Sequence, residues 1–222
     1  MIDVIEKKTD ADGKLYYFNL ETKQKYGEIV GGLAWPEKTD GFLVIAAVDL
    51  LEDPGVEDHH IRILAETNES DMNTFLSQAL KFQRSFSPFM ENIKFYGDTT
   101  SLGMMELLDQ FNRERRHRGS TPFYITEAPQ LRVAQKHEFY TRLIRKYIQS
   151  GRKILHFCDT GFPGCLMGLL REISGNILDH PPIAAVGYAL GALTSWKPLR
   201  RETEVKAKYG RFLTGNAVSE FT

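Results

Sequence analysis

Short runs of alternating or continuous apolar residues fill the first third of the chain, a pattern typical of β-strands. Two such runs are KLYYFNLETKQ (14–24) and YGEIVGGLAWP (26–36), the second followed by a turn at EKTDG. The run FLVIAAVDLL (42–51) is apolar nearly throughout, which predicts a central strand buried on both faces. HIRILAETN (60–68) alternates again. We therefore expect the last three runs to form an antiparallel meander.

From residue 69 the apolar spacing changes to that of a helix. In ESDMNTFLSQALKFQRSF (69–86) the apolar residues form one stripe, and Ser70 or Asp71 is placed to cap the helix. The same reasoning predicts further helices at 101–119, 136–151, 163–174 and 181–196. It predicts short strands at 93–98, 122–129 and 153–158.

Three hairpin strands followed by alternating helices and strands predict an α/β protein of the ribonuclease H-like class. Its sheet would be mixed, with a three-strand antiparallel meander leading into parallel strands, and helices would cover both faces. We expect a single domain over residues 1–198, in which 1–25 form an N-terminal extension or an edge strand. Residues 199–222, which are basic at first and lack periodicity, are expected to be a tail.

Composition narrows the possible partners. The 222 residues carry 28 basic and 29 acidic side chains, which argues against a uniformly basic nucleic-acid-binding surface but allows a local basic patch. The two cysteines, Cys158 and Cys165, are expected to be plain thiols in a reducing compartment. No apolar leader segment begins the sequence, and the run at 183–193 is too short to span a bilayer. These features predict a cytoplasmic protein without a membrane partner.

Acidic residues follow several of the predicted strands. In the expected topology Asp98, Glu66 and either Glu37 or Asp40 share one edge of the sheet, and Glu127 is a further candidate. Carboxylates gathered in this way bind hard divalent cations, and a two-metal site supports phosphodiester hydrolysis. The alternative is that Asp98 caps the following helix and that the other acids are solvated turn or strand-end residues.

Several stretches resemble the C-terminal nuclease domain of viral (phage) terminase large subunits. They are IKFYGDTTSLGMMELLDQFN, FYITEAPQ, KHEFYTRLIRKYIQSGRKILHF, LLREI and DHPPIAAVGYALGAL, in that order. The similarity runs from about Tyr26 to Trp196. It implies a ribonuclease H-like, Mg²⁺- or Mn²⁺-dependent DNA endonuclease, a hydrolase that acts on double-stranded DNA during packaging in the host cytoplasm. The partners that it implies are the portal, the small terminase subunit and an ATPase domain.

The resemblance also assigns the candidate site. Asp98 matches the second acidic position of the family and would be the main metal ligand and catalytic residue. Asp179 would be the second, although a residue-by-residue match of the last helix places His180 there. The first acidic position falls within residues 31–34, which contain no carboxylate, so Glu66 or Asp40 would have to replace it. The domain is therefore expected either to cleave DNA with a substitute acid or to bind DNA or packaging partners without cleaving it.

One basic cluster stands out, in the segment RERRHRG (113–119). Its arginines, Arg113, Arg115, Arg116 and Arg118, are candidates for contacts with a DNA backbone. The alternative is a solvated helix end, where basic residues complement the helix dipole. The chain has neither a Walker-type phosphate loop nor a GxGxxG motif, so we expect no nucleotide cofactor.

Overall fold

The computed structural model describes residues 5–37, 39–50, 60–88, 91–129, 136–149, 155–157 and 180–193. Eight strands belong to one sheet: β1 (Ile5–Thr9), β2 (Leu15–Asn19), β3 (Lys25–Ala34), β4 (Gly41–Asp49), β5 (His60–Glu69), β6 (Lys94–Gly97), β7 (Ile125–Glu127) and β8 (Leu155–Phe157). The described residues also form four helices: α1 (Met72–Phe86), α2 (Leu102–His117), α3 (Lys136–Gln149) and α4 (Pro181–Leu193).

The sheet is mixed. Strands β3, β4 and β5 form an antiparallel meander, as expected from the sequence. Strand β6 lies parallel to β3, β7 lies parallel to β6, and β8 lies parallel to β5. The strand order across the sheet is therefore β8-β5-β4-β3-β6-β7, and the carboxyl ends of β3, β5, β6 and β7 point to one edge. We call this the carboxyl edge.

Strand β3 is long enough to pair with two different neighbours along the same side. Its first residues, Lys25 and Tyr26, pair with β2, and its second half pairs with β6. The register with β4 shifts between Tyr26 and Ile29, where the two regions of pairing meet. The β1–β2 hairpin thus extends the sheet beside the amino-terminal end of β3, which places it away from the carboxyl edge.

Two adjacent glycines let other elements approach β3 on both faces. A Cβ atom at Gly31 would lie 2.3 Å from the ring of Phe95, and one at Gly32 would lie 2.0 Å from the backbone oxygen of Ala185 in α4. These separations are far inside van der Waals contact, so no larger residue fits without displacing its neighbour. The absence of side chains at Gly31 and Gly32 therefore lets the Phe95 ring and the α4 backbone lie directly on β3.

Helices cover both faces of the sheet, and each face has its own apolar core. On one face α3 and α4 pack against alternate residues of the central strands, including Val44 and Ala46. On the other face α1 and α2 pack against the intervening residues, including Leu43 and Ile45. All nine residues of β4 are buried, which confirms the prediction of a central strand.

The helix patterns were well predicted within the described residues. Asp71 caps α1, its side chain accepting a hydrogen bond from the Thr74 amide at 2.7 Å, and Phe75 and Leu76 are buried on the predicted stripe. The predicted helix at 163–174 and the predicted tail at 199–222 lie outside the described residues, as do Cys158 and Cys165. Among the helices that the structure describes, none is both long and apolar enough to cross a membrane.

Candidate functional site

Asp98 lies at the carboxyl edge, one residue beyond β6. The last residue of β6, Gly97, pairs with Leu33, so Asp98 lies beside Ala34, the last residue of β3. Ala34 belongs to the core on the α4 face. Asp98 raises the pKa of the Tyr188 hydroxyl on α4, although burial of the tyrosine is the larger cause. Asp98 and Ala34 therefore share the α4 face of the sheet.

The carboxylate of Asp98 organises the loop that leads into α2. Its Oδ1 atom accepts hydrogen bonds from the Thr100 amide at 2.7 Å and from the Thr100 hydroxyl at 2.6 Å. The backbone oxygen of Asp98 accepts a third bond from the indole of Trp35 at 2.6 Å. Position Ser101, not Asp98, is the N-cap of α2, and its side chain makes no capping bond. The side chain of Asp98 thus stabilises the loop before α2 by bonding to a residue two positions later, a local role that short polar residues commonly take.

The residues of β3 next to Asp98 offer it no carboxylate. Ala34 is the β3 residue nearest in register to Asp98 and is 7% exposed. Gly32, two residues earlier on the same face, has the backbone of α4 directly above it. Of the four positions from 31 to 34, Ala34 is therefore the one at which a carboxylate would lie beside Asp98.

Glu66 lies within the sheet rather than at its edge. It pairs with Val44, three residues before the end of β5, and it is 8% exposed. Three strand spacings separate β5 from β6, which is about 14 Å and well beyond shared metal coordination with Asp98. Neither carboxylate oxygen of Glu66 has a hydrogen-bond partner among the described residues, and burial raises its pKa. The prediction that Glu66 supplies a ligand beside Asp98 gains no support from this position.

The turn acids Glu37 and Asp40 lie at the carboxyl edge, between β3 and β4, and both are exposed. Asp40 accepts a long hydrogen bond of 3.4 Å from Asn68, on the β5 side of the turn. Glu127 pairs with Gly97, and by strand alternation it lies on the α2 face, opposite to Ala34. Glu37, like Asp98, raises the pKa of Tyr188, so these two acids lie near the same tyrosine, whereas Glu127 lies on the opposite face. Among the described residues the acids do not form a group of three around Asp98.

The direction of α4 follows from its glycine contacts. Gly187 lies against Tyr140 and Ile144 of α3, whereas Gly191, one turn later, lies against Tyr140 and Pro129. Pro129 follows the carboxyl end of β7, and α3 leads from there back towards the start of β8. Helix α4 therefore runs towards the carboxyl edge, and its first residues lie at the opposite end of the sheet.

This direction separates the start of α4 from Asp98. Ala185 lies over Gly32, and His180 precedes Ala185 by more than one turn. His180 lies five helical residues before Ala185, and Asp98 lies two strand positions beyond Gly32 in the opposite direction. Together these offsets separate His180 from Asp98 by about 14 Å along the strand direction. The structure thus does not bring His180 to Asp98. Asp179 lies outside the described residues and stays a prediction.

The described residues around Asp98 do not by themselves form the metal site implied by the resemblance. Among the described residues no group of three His, Cys, Asp or Glu side chains is placed to hold a metal ion. The surroundings of Asp98 on the α4 face are instead aromatic, since Tyr140 and Tyr188 pack edge to face with ring centroids 5.4 Å apart. Mg²⁺ binds through several oxygen ligands, including carboxylates, and this arrangement does not supply them.

The predicted arginine cluster divides into two pairs with different surroundings. Arg113 forms an ion pair with Asp109 at 2.9 Å, and Arg116 approaches the same carboxylate at 3.9 Å. Arg115 and Arg118 instead line a cleft between α1 and α2. Sequence reasoning treated the four as one group because they are consecutive on one segment, but the helix distributes them over two faces.

Two basic residues of α1, Lys81 and Arg84, line the same cleft and were not predicted as site residues. Their spacing was the available signal, because residues three or four apart share a helix face. The chain matches no protein-family model, and no curated protein or solved structure matches it. The candidate sites therefore depend on the geometry described above.

Proposed function

We propose that this chain is a ribonuclease H-like domain of the terminase-nuclease type that binds double-stranded DNA in a packaging complex without cleaving it. The strand order, in which two parallel strands flank an antiparallel meander on the β3 side, supports the fold assignment. The observation that carries the functional proposal is Ala34. It lies beside Asp98 and is one of the four residues, 31–34, among which the resemblance calls for a carboxylate.

The basic residues at the end of α2 support DNA binding. Arg115 and Arg118 lie together with Lys81 and Arg84 on one surface, and such groups bind phosphates through charge and hydrogen bonds. Packaging partners such as the portal, the small terminase subunit and an ATPase domain belong to the same proposal.

The test is a plasmid assay with Mn²⁺ that records binding and nicking together. We expect the wild-type protein to retard plasmid DNA and leave it intact, and Asp98→Ala to behave in the same way. Circular dichroism of both proteins checks that the fold is retained. Nicking by the wild type that a chelator and Asp98→Ala each abolish would refute the proposal.

That refuting result would favour a second candidate, an active metal-dependent endonuclease. The observation in its favour is the location of Asp98 at the carboxyl end of a strand parallel to β3. The remaining ligands would then have to come from outside the described residues, where Asp179 is the candidate. Asp179→Asn, assayed beside Asp98→Ala, would show whether both residues are needed.

A further inference from the structure

The cleft between α1 and α2 brings together four basic side chains from two helices. Lys81 and Arg84 come from α1, and Arg115 and Arg118 come from α2 or its C-cap. The cavity has a volume of about 420 Å³, within the usual range for small-ligand sites. It lies on the α1–α2 face of the sheet, whereas Asp98 faces α4, so the two regions are separate.

Helix periodicity explains why these side chains converge. On α1 the cleft is lined by Ser77, Lys81 and Arg84, spaced four and three residues apart. On α2 and its C-cap, Arg115 and Arg118 follow Phe111 with the same spacing. Each set therefore forms a single stripe, and the two stripes face each other across the cleft.

The positive charge of the cleft is not balanced within it. Glu114 is the one carboxylate among the lining residues, against four cations. No ion pair among the described residues involves Lys81, Arg84 or Arg118. The pKa of Arg115 is lowered by partial burial and, to a smaller extent, by the like charge of Arg84. An anion in the cleft would relieve this repulsion and gain charge-assisted hydrogen bonds.

The side chain of Arg115 is already fixed in a position from which it can bind such an anion. Its Nε atom donates to the Thr121 backbone oxygen at 2.9 Å, and its guanidinium lies 5.8 Å from the centroid of the Phe111 ring. These contacts fix the stem and the plane of the side chain, so less conformational entropy is lost on binding. Leu80 and Phe111 also give the cleft an apolar wall, and Ser85 and Ser120 line it as well.

We propose that this cleft binds one phosphate-bearing nucleotide unit, with the phosphate between the two stripes and the apolar part of the nucleotide against Leu80 and Phe111. The unit would come either from a free nucleotide or from a DNA strand. The DNA alternative rests on the function proposed above. The free-nucleotide alternative does not, because the cleft would then be occupied whether or not the protein binds DNA.

The experiment is isothermal titration calorimetry at low ionic strength with three probes. They are ADP, the unphosphorylated nucleoside adenosine, and a short blunt DNA duplex. The variant is Arg84→Ala/Arg118→Ala, which removes two exposed cations of the cleft. The matched control is Arg113→Ala/Arg116→Ala, which changes the net charge equally but removes two arginines that lie against Asp109 outside the cleft.

We expect ADP or the duplex to bind the wild type and adenosine not to bind. Loss of one charge-assisted bond weakens affinity about tenfold, so the cleft variant should bind between about tenfold and a hundredfold more weakly. The control variant should retain most of the affinity. The probe that shows this pattern identifies the source of the nucleotide unit.

Three results would overturn the inference, and they differ in what they say about DNA binding. Equal binding of the duplex by all three proteins, without ADP binding, would refute the cleft and leave the proposed function intact. Equal weakening by both double variants would replace the cleft with a diffuse basic surface. Binding of neither ADP nor duplex would refute both the cleft and the DNA-binding function.

Discussion

The surroundings of Asp98, at the end of a strand, and the cleft between α1 and α2 differ in how many groups of like charge they bring together. Around Asp98 the neighbouring strand offers Ala34, and the exposed turn contributes Glu37, whose charge also acts on Tyr188. In the cleft, side chains from two helices bring four cations to one cavity. A single charged residue at a strand end is therefore weak support for a site, whereas convergence of several is strong support.

The cause of the difference lies in the packing of each region. On the α4 face the sheet is covered closely, with the α4 backbone directly on Gly32 and two tyrosines beside Asp98. On the other face a cavity between α1 and α2 is lined by long basic side chains, of which Lys81, Arg84 and Arg118 are exposed.

The close packing of α4 on β3 predicts a strong effect of Gly32→Ala. The added Cβ would collide with the backbone oxygen of Ala185, so we expect the free energy of unfolding to fall by about 3 kcal/mol. The matched control is Gly103→Ala in α2, where nothing lies within 4 Å. Alanine there should stabilise the protein by about 0.5–1 kcal/mol. Equal effects in urea unfolding would contradict the packing described for α4.

The position of the α2 end, and hence of the cleft arginines, depends on Asn112. Its buried amide donates to the Phe123 oxygen and accepts from the Phe123 amide, both at 2.8 Å. Asn112→Ala leaves both backbone groups without partners, so we expect a loss of about 2 kcal/mol in unfolding free energy. Asn92→Ala, at an exposed position, should change it by less than about 0.5 kcal/mol. An unaltered midpoint for Asn112→Ala would refute this anchoring.

Salt dependence separates the cleft arginines from those paired with Asp109. The logarithm of the DNA association constant falls linearly with the logarithm of the salt concentration. We expect the slope of this line to be smaller in magnitude by about 2 for Arg84→Ala/Arg118→Ala than for the wild type. Arg113→Ala/Arg116→Ala should change the slope less, because Asp109 already partly neutralises these two arginines. Fluorescence anisotropy of a labelled duplex gives both slopes. A larger change for the control would place the phosphate contacts on the other side of α2.

The sequence predicted individual helices and strands far better than it predicted which side chains the fold brings together. The apolar run of β4 and the stripe of α1 were predictable because burial imposes a visible period. Residues 1–25 were expected to form an extension or an edge strand, and among the described residues this region forms the β1–β2 hairpin. Strand β1 was not predicted separately because its residues are mostly charged. No local pattern sets the direction of α4 or the depth of Glu66 within the sheet. Those features depend on how distant segments pair and pack in the folded chain. The same pairing determines which acidic side chains lie close together.

Lys81 and Arg84 illustrate a signal that was present but ambiguous. Each occupies an exposed position on an amphipathic helix, where basic residues are usually solvated. Only the facing stripe on α2 makes them part of a cleft, and that pairing requires the tertiary structure. The arginines of α2 stood out because they cluster in the sequence, although only Arg115 and Arg118 of the four line the cavity.

The smallest expected effect concerns Glu66. Burial raises its pKa in the folded protein, so the folded state favours the protonated form. The contribution of Glu66 to the free energy of unfolding is therefore most favourable below the pKa that Glu66 has in the unfolded chain. It is lost as the pH rises through the higher pKa of the folded protein. We expect Glu66→Gln to be more stable than the wild type at neutral pH, with the difference shrinking at acidic pH. The test is to measure the urea midpoints of Glu66→Gln, and of Glu69→Gln as the control, at neutral and at acidic pH. Midpoints of the two variants that change equally with pH would contradict the prediction.

The most direct test of DNA binding without cleavage is one gel assay of plasmid DNA with Mn²⁺, comparing the wild type, Asp98→Ala and Arg84→Ala/Arg118→Ala. Retardation measures binding, and conversion of supercoiled to relaxed plasmid measures cleavage. We predict retardation without relaxation by the wild type, the same by Asp98→Ala, and weaker retardation by the cleft variant. Relaxation by the wild type that disappears in Asp98→Ala would show that the protein is a nuclease and would refute binding without cleavage.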